Sequence, residues 1–372
     1  MYLDNILSCL RNIKNSKNPI YLLSYRRFDL IDLIFILGCC ILAIMGHFAR
    51  DRKWLEWIIR IIIGSFCLCE LVAALFSRDM TIPWANNVLF ALAAFTGLLL
   101  VLPIRHVYSQ FLTLIDGITT GRFIIGPIKY HLNAFKAIMD QEIFRPRSVP
   151  HMVGMFIYIT TFGMLLQGIN PANFEIPAIP FPLPINLMQL FSYNGLGLIL
   201  LSFCGIGIFI SRDWKAAFKR LGWEKPTWTH VGIGLLLVLF SFAYDLCWSL
   251  YTHGLANQDL ATKLSGYNSA TFTSVEGLGM AVVMALATAI FAGVGEETLI
   301  RGALQPALGI VPAAILHGIL HAQFTHAPIF ILQVALWSVA IGIVRRYTNT
   351  TTTIIGHAGF NFLTTFLFAF NP

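Results

Sequence analysis

The sequence predicts an all-α, polytopic membrane protein with about eight to ten transmembrane helices and a C-terminal four-helix catalytic core. Three observations carry this expectation. Hydrophobic residues make up 57% of the chain and charged residues 12%, where a soluble domain would carry roughly 25% charge. Apolar runs long enough to cross a bilayer recur from end to end, and the mean hydropathy is +0.72. Finally, acidic, basic and amide side chains gather in the last of these runs, where their cost is tolerated mainly if they pair, meet water or do chemistry.

The expected spans, taken in order, are 31–48, 57–77, 86–104, 152–168, 189–211, 231–251, 277–294, 311–325, 327–344 and 353–370. The eighth is short and follows Pro306 and Pro312, which suggests a kinked or partly re-entrant segment. Lysines and arginines give the orientation. The stretches 105–150 and 212–225 are basic and read as cytoplasmic; 169–188, with no Lys or Arg, and 252–276, with one Lys, read as external. The start is ambiguous, because Arg26 and Arg27 and then Arg50, Arg52 and Lys53 ask for the same side. The N-terminal 28 residues are basic without the compact apolar stretch of a secretory signal. They read as a surface segment or an uncleaved lead-in. The chain divides into an N-terminal membrane region, 1–225, with basic cytoplasmic loops and no assigned role, and a C-terminal region, 226–372, whose motifs occupy 276–365.

The net charge of +7 suits loops facing an anionic leaflet. No basic stripe with interleaved aromatics points to nucleic acid. Of the seven cysteines, all but Cys9 lie in apolar runs and none has zinc-binding spacing, so they are expected to act as small hydrophobes.

The chemistry concentrates in three segments. Glu296 and Glu297 stand at the end of an apolar run with Arg301 following. Residues four apart share a helix face, so Glu297 and Arg301 can pair. Glu296 points about 140° away from Arg301 and is left to act. His317 and His321 form a second i,i+4 pair, and His357 and Asn361 a third. Three helices thus each offer polar groups that meet only if the helices pack around one interior.

Here a family resemblance enters. GEETLIRG (295–302), ILHGILHAQF (315–324) and HAGFN (357–361) resemble, in order, the Glu-Glu-x-x-x-Arg, Phe-x-x-x-His and His-x-x-x-Asn motifs of the CAAX prenyl protease and bacteriocin-processing (Abi, CPBP) family of intramembrane endopeptidases. The resemblance implies that Glu296 and His321 activate a water, that His357 and Asn361 stabilise the oxyanion, and that Glu297 and Arg301 shape the site. His317 stands where the family usually has Phe, and is given a packing or supporting role. Glu296, His321 and His357 match a His₂Glu zinc set in type, but the helical His-Glu-x-x-His signature of soluble metalloproteases is missing. The expected cofactor is therefore either none or a divalent metal such as zinc. The implied partner is a peptide or protein substrate, prenylated or membrane-bound, and the setting a lipid bilayer, with the plasma membrane first in line. The rival reading is a non-catalytic scaffold, an immunity protein or a small transporter on the same fold. Convergence of the four groups on one site separates the two.

Bland roles are expected elsewhere. Asp245 reads as one end of a helix–helix hydrogen bond, Arg60 and Glu70 as partners or as side chains that snorkel to the surface, His326 as interfacial, and DWKAAFKRLGW (213–223) as an amphipathic surface helix.

Overall fold

The computed structural model describes residues 20–76, 83–120, 143–168, 187, 190–255, 278–321 and 328–370. Among them there is no strand, and helices follow one another almost without break. They are α1 (Ile20–Phe48), α2 (Lys53–Phe76), α3 (Pro83–Leu98), α4 (Leu102–Thr119), α5 (Val149–Gly168), α6 (Leu190–Ile206), α7 (Trp214–Leu221), α8 (Trp228–Leu255), α9 (Leu278–Leu308), α10 (Ile310–Leu320), α11 (Pro328–Tyr347) and α12 (Thr350–Phe370). The expected external stretches 169–186 and 256–276, the N-terminal residues 1–19 and His326 lie outside the described residues.

Among the described residues six helices are long and apolar enough to cross a membrane. A seventh span is obtained if α3 and α4 count as one, although the chain turns by 106° between them. This is fewer than the expected eight to ten, and the reasons are physical. The segments at 190–206 and 310–320 are too short to cross alone. In α12 four leading threonines, His357 and Asn361 dilute the apolar sequence. The turn between α3 and α4 falls at Leu99–Val101, whose N–H groups bond back to the carbonyls of Phe95, Gly97 and Leu98, with Pro103 at the second position of α4. Proline is tolerated there because its missing N–H has no helical partner to lose. This is a multi-pass membrane protein. Its exposed Leu, Ile, Phe and Trp side chains on α2 and α8 are the lipid-facing surface that such helices need.

Two neighbourhoods position the site. Helix α12 lies along α8 and α9, and α10 lies along α11. Around them α5 and α6 close the other side of α9 and α10. Small residues permit the close approach. A Cβ on Gly293 would come within 2.9 Å of the Ala358 backbone on α12, and one on Gly318 within 2.6 Å of the Ile331 carbonyl oxygen on α11. A Cβ on Gly295 would run into the carbonyl oxygen of Asn194 on α6.

The amphipathic α7 forms where expected. Asp213 caps it by accepting from the Ala216 N–H at 2.7 Å, and Gly222 ends it with a positive φ of 71°. It is tied to α9, where Arg220 donates to the Gly302 carbonyl at 2.8 Å and Trp223 to the Thr298 hydroxyl at 3.1 Å. Asp245 accepts from Gln333 at 2.6 Å, joining α8 to α11 as anticipated. Arg60, by contrast, pairs with Glu56 at 2.7 Å, one turn away, and not with Glu70. Arg60 and Glu70 are ten residues apart on α2 and face different turns, whereas an i,i+4 partner is within reach.

Candidate active site

Helix α9 is not a regular α-helix. Wide π-type turns at Thr288–Val294 and Thr298–Leu304 flank a short α-helical piece, Gly295–Glu297. Such turns recur at functional positions because they re-aim side chains that a 3.6-residue period would space evenly. Here they bracket the two glutamates.

The two carboxylates have different surroundings. Glu297 is fully buried, and its Oε2 lies 3.5 Å from Nε of the equally buried Arg301. Its Oε1 accepts from Nδ1 of His357 at 3.0 Å. Glu296 keeps 12% of its side-chain surface exposed. Its Oε2 meets Nε2 of His317 at 3.0 Å and lies 4.0 Å from Nε2 of His357. Its Oε1 accepts from the Asn194 amide at 3.2 Å. Glu296 is therefore not free of partners: an imidazole and an amide hold it from two sides.

The hydrogen-bond network fixes the sense of the His317 contact. Arg301 Nη2 donates to the Ser338 hydroxyl at 2.9 Å, and that hydroxyl lies 3.1 Å from Nδ1 of His317. With its oxygen accepting from a guanidinium, Ser338 has its own O–H to give. Nδ1 of His317 then accepts, the ring proton sits on Nε2, and Nε2 donates to Glu296. Donors run in one direction, from Arg301 through Ser338 and His317 to the Glu296 carboxylate. Trp337 backs this arrangement. Its ring packs against His357 at 4.9 Å and His317 at 5.8 Å between centroids, while its indole N–H donates to Ser241 at 2.8 Å.

His321 ends α10. Its Nδ1 donates to the His317 carbonyl at 2.9 Å. Ligand atoms of Glu296, His317 and His321 all lie within 4.8 Å of one another. These are donor types found in catalytic zinc sites. A metal-bound His317, however, would have to ligate through Nε2 and donate from Nδ1, and Nδ1 faces a hydroxyl and the Arg301 guanidinium at 3.5 Å. Metal ligation by His317 would have the Ser338 oxygen accept from both Nδ1 of His317 and Nη2 of Arg301.

Glu296, Glu297, Arg301, His317, His321 and His357 thus gather at one place, contributed by α9, α10 and α12. Asn361 follows His357 by one turn of α12 and is half-buried, on the same face of that helix. The metal trio expected from residue type, Glu296, His321 and His357, differs from the trio whose ligand atoms lie within 4.8 Å of one another, Glu296, His317 and His321; Nε2 of His357 lies 4.0 Å from Glu296 Oε2. Asn194, Ser338 and Trp337 escaped the sequence reading. Asn194 carried a usable signal, being an amide inside an apolar segment, but nothing in its spacing tied it to Glu296, 102 residues away.

With the geometry in view, the comparisons are specific. Residues 278–363 match the family described as Type II CAAX prenyl endopeptidase Rce1-like. No curated protein and no solved structure matches the chain significantly.

Proposed function

We propose, from the match of residues 278–363 to the family described as Type II CAAX prenyl endopeptidase Rce1-like, that the chain cleaves a peptide bond inside the membrane with a glutamate-activated water. The single observation that carries the proposal is the Glu296 carboxylate, partly open to solvent and faced by three histidines on two other helices. A water beside Glu296 and His321 would lose its proton to Glu296 as it adds to the substrate carbonyl. The oxyanion would be met by His357 and Asn361. For His357 this requires protons on both ring nitrogens, since Nδ1 serves Glu297. Glu296 would return the proton to the departing amine. His317 holds the carboxylate in line and is a positioning residue here. Glu297 and Arg301 fix His357 and His317 in turn.

The substrate is a peptide or protein already in the bilayer, a prenylated C-terminus being the class the family favours. The site would open near the cytoplasmic face of the plasma membrane. No metal enters the scheme, because the donors around Glu296 already point at its oxygens. The test uses purified full-length protein and a farnesylated peptide. Glu296→Gln, nearly isosteric, should lower the cleavage rate by about 10²–10⁴-fold with no change in melting temperature. His321→Ala should do likewise, and a chelator should leave the wild-type rate unchanged. Full activity in Glu296→Gln ends the glutamate proposal; rate loss on chelation, restored by zinc, ends the metal-free one.

A further inference from the structure

A cavity of about 780 Å³ is lined by residues of α9 and α10, among others, but by none of Glu296, His317, His321 and His357. That volume falls within the range of pockets that hold drug-sized ligands, about 300–1,000 Å³. Its walls are apolar and come from membrane helices, among them Ile36 on α1, Met155 on α5, Leu201 on α6, Leu299 on α9 and Leu316 on α10. At one end the lining changes character. Arg50, Arg145, Arg147, Arg212 and Arg220 converge there.

Those guanidiniums lack counter-charges. Among the described residues no carboxylate lies within ion-pair distance of any of the five. Glu56, which also lines the cavity, is taken by Arg60 at 2.7 Å. Burial, with the neighbouring charges of Arg50 and Arg145, draws Arg212 below the usual guanidinium range. Burial and Arg212 bring Arg220 to about 10. Like charges crowded beside low-dielectric walls repel, and an anion among them would relieve the repulsion.

The geometry points to this cavity, an apolar hollow between membrane helices lined by five arginines with no acidic partner among the described residues, as a binding site for an amphiphile with a phosphate headgroup. Guanidinium forks match phosphate oxygens in pairs. Basic pockets between membrane helices on the cytoplasmic side are where anionic headgroups bind, and four of these arginines, Arg145, Arg147, Arg212 and Arg220, belong to the two stretches whose charge reads as cytoplasmic. The hydrocarbon chain would run along Ile36, Met155 and Leu201. Leu299 and Leu316 place it one helix thickness from the catalytic residues, and Arg220 also holds the Gly302 carbonyl of α9. A bilayer phospholipid and an isoprenyl phosphate share this chemistry.

Two kinds of variant test the two halves of the site. Gly154 on α5 lines the cavity, and a Cβ there would meet open space, as it would at Gly205. Gly154→Leu and, in parallel, Gly205→Leu should fill the hollow without a clash. The double variant Arg50→Gln/Arg145→Gln removes two exposed headgroup ligands. Purified full-length proteins in mild detergent are given phosphatidylglycerol, phosphatidylcholine, farnesyl phosphate or inorganic phosphate, and bound molecules are counted by native mass spectrometry. The wild type should retain one phosphatidylglycerol or one farnesyl phosphate, and whichever persists names the source. Phosphatidylcholine should wash away. Filling and charge removal should each weaken retention by about tenfold or more, with melting temperatures in lipid-free detergent unchanged. Equal retention in all variants overturns the proposal. So does binding of inorganic phosphate alone, or retention of a prenylated peptide in place of either lipid. The readout is independent of cleavage, so its failure leaves the protease reading untouched.

Discussion

Arg301 is the residue on which the arrangement of the site turns. It is fully buried, faces Glu297 at 3.5 Å and feeds Ser338 at 2.9 Å. A buried ion pair contributes little net stability when compared with an apolar pair, but breaking one side leaves a charge stranded at a cost of about 3–5 kcal/mol. Glu297→Leu alone should therefore lower thermal stability in detergent severely. Combining it with Arg301→Met should restore most of that loss while cleavage stays absent, because His357 and His317 then have nothing to hold them. If the single and double variants melt alike, the pair is not carrying the stress assigned to it. Ser338→Ala addresses the relay more gently. It leaves Arg301 Nη2 and His317 Nδ1 short of a partner, worth about 1–3 kcal/mol, and should reduce kcat with little change in KM.

At the scale of elements, the close approach of α6 to α9 decides whether Glu296 is held at all. Gly295 has no room for a methyl group because Asn194 presses its carbonyl against it, and the same Asn194 supplies the amide to Glu296 at 3.2 Å. Within a helix, replacing Gly by Ala normally stabilises by roughly 0.5–1 kcal/mol. Gly295→Ala should do the reverse: the melting temperature falls and cleavage is lost as α6 moves off. Gly232→Ala on α8, where a Cβ meets nothing within 4 Å, is the matched control and should hold or raise stability. Identical behaviour of the two would show that helix contact at Gly295 is not limiting. The wide turns of α9 belong to this scale as well. They lie on both sides of Gly295–Glu297, and their consequence is that neighbouring glutamates serve different partners.

For the whole molecule, the division at residue 225 separates groups that work together. Asn194 lies in the N-terminal region, and α5 contributes to the packing against α10, where Tyr158 donates to the Pro312 carbonyl at 3.0 Å. Asp116 on α4 accepts from the Ile310 N–H at the start of α10, at 3.3 Å. A chain beginning at 226 would keep all three motifs yet expose these faces. It should fail to give a monodisperse, active protein in detergent, by size-exclusion profile and cleavage assay. A stable, active truncation would mean that the N-terminal helices are dispensable to the site.

The helical membrane character was written in the sequence, because apolar runs of bilayer length have few other stable solutions. So was the set of polar groups in the last helices, since their cost in such segments marks them out, and i,i+4 spacing was enough to pair Glu297 with Arg301. Tertiary structure decided the rest. It bent the chain by 106° between α3 and α4. It made His317, and not a phenylalanine-like filler, the partner of Glu296, and it brought Asn194 and Ser338 to the same few ångströms. The reason is one of range: periodicity specifies which residues share a face of one helix. Which faces meet depends on close packing of small residues on other helices, and that information is spread over more than a hundred residues.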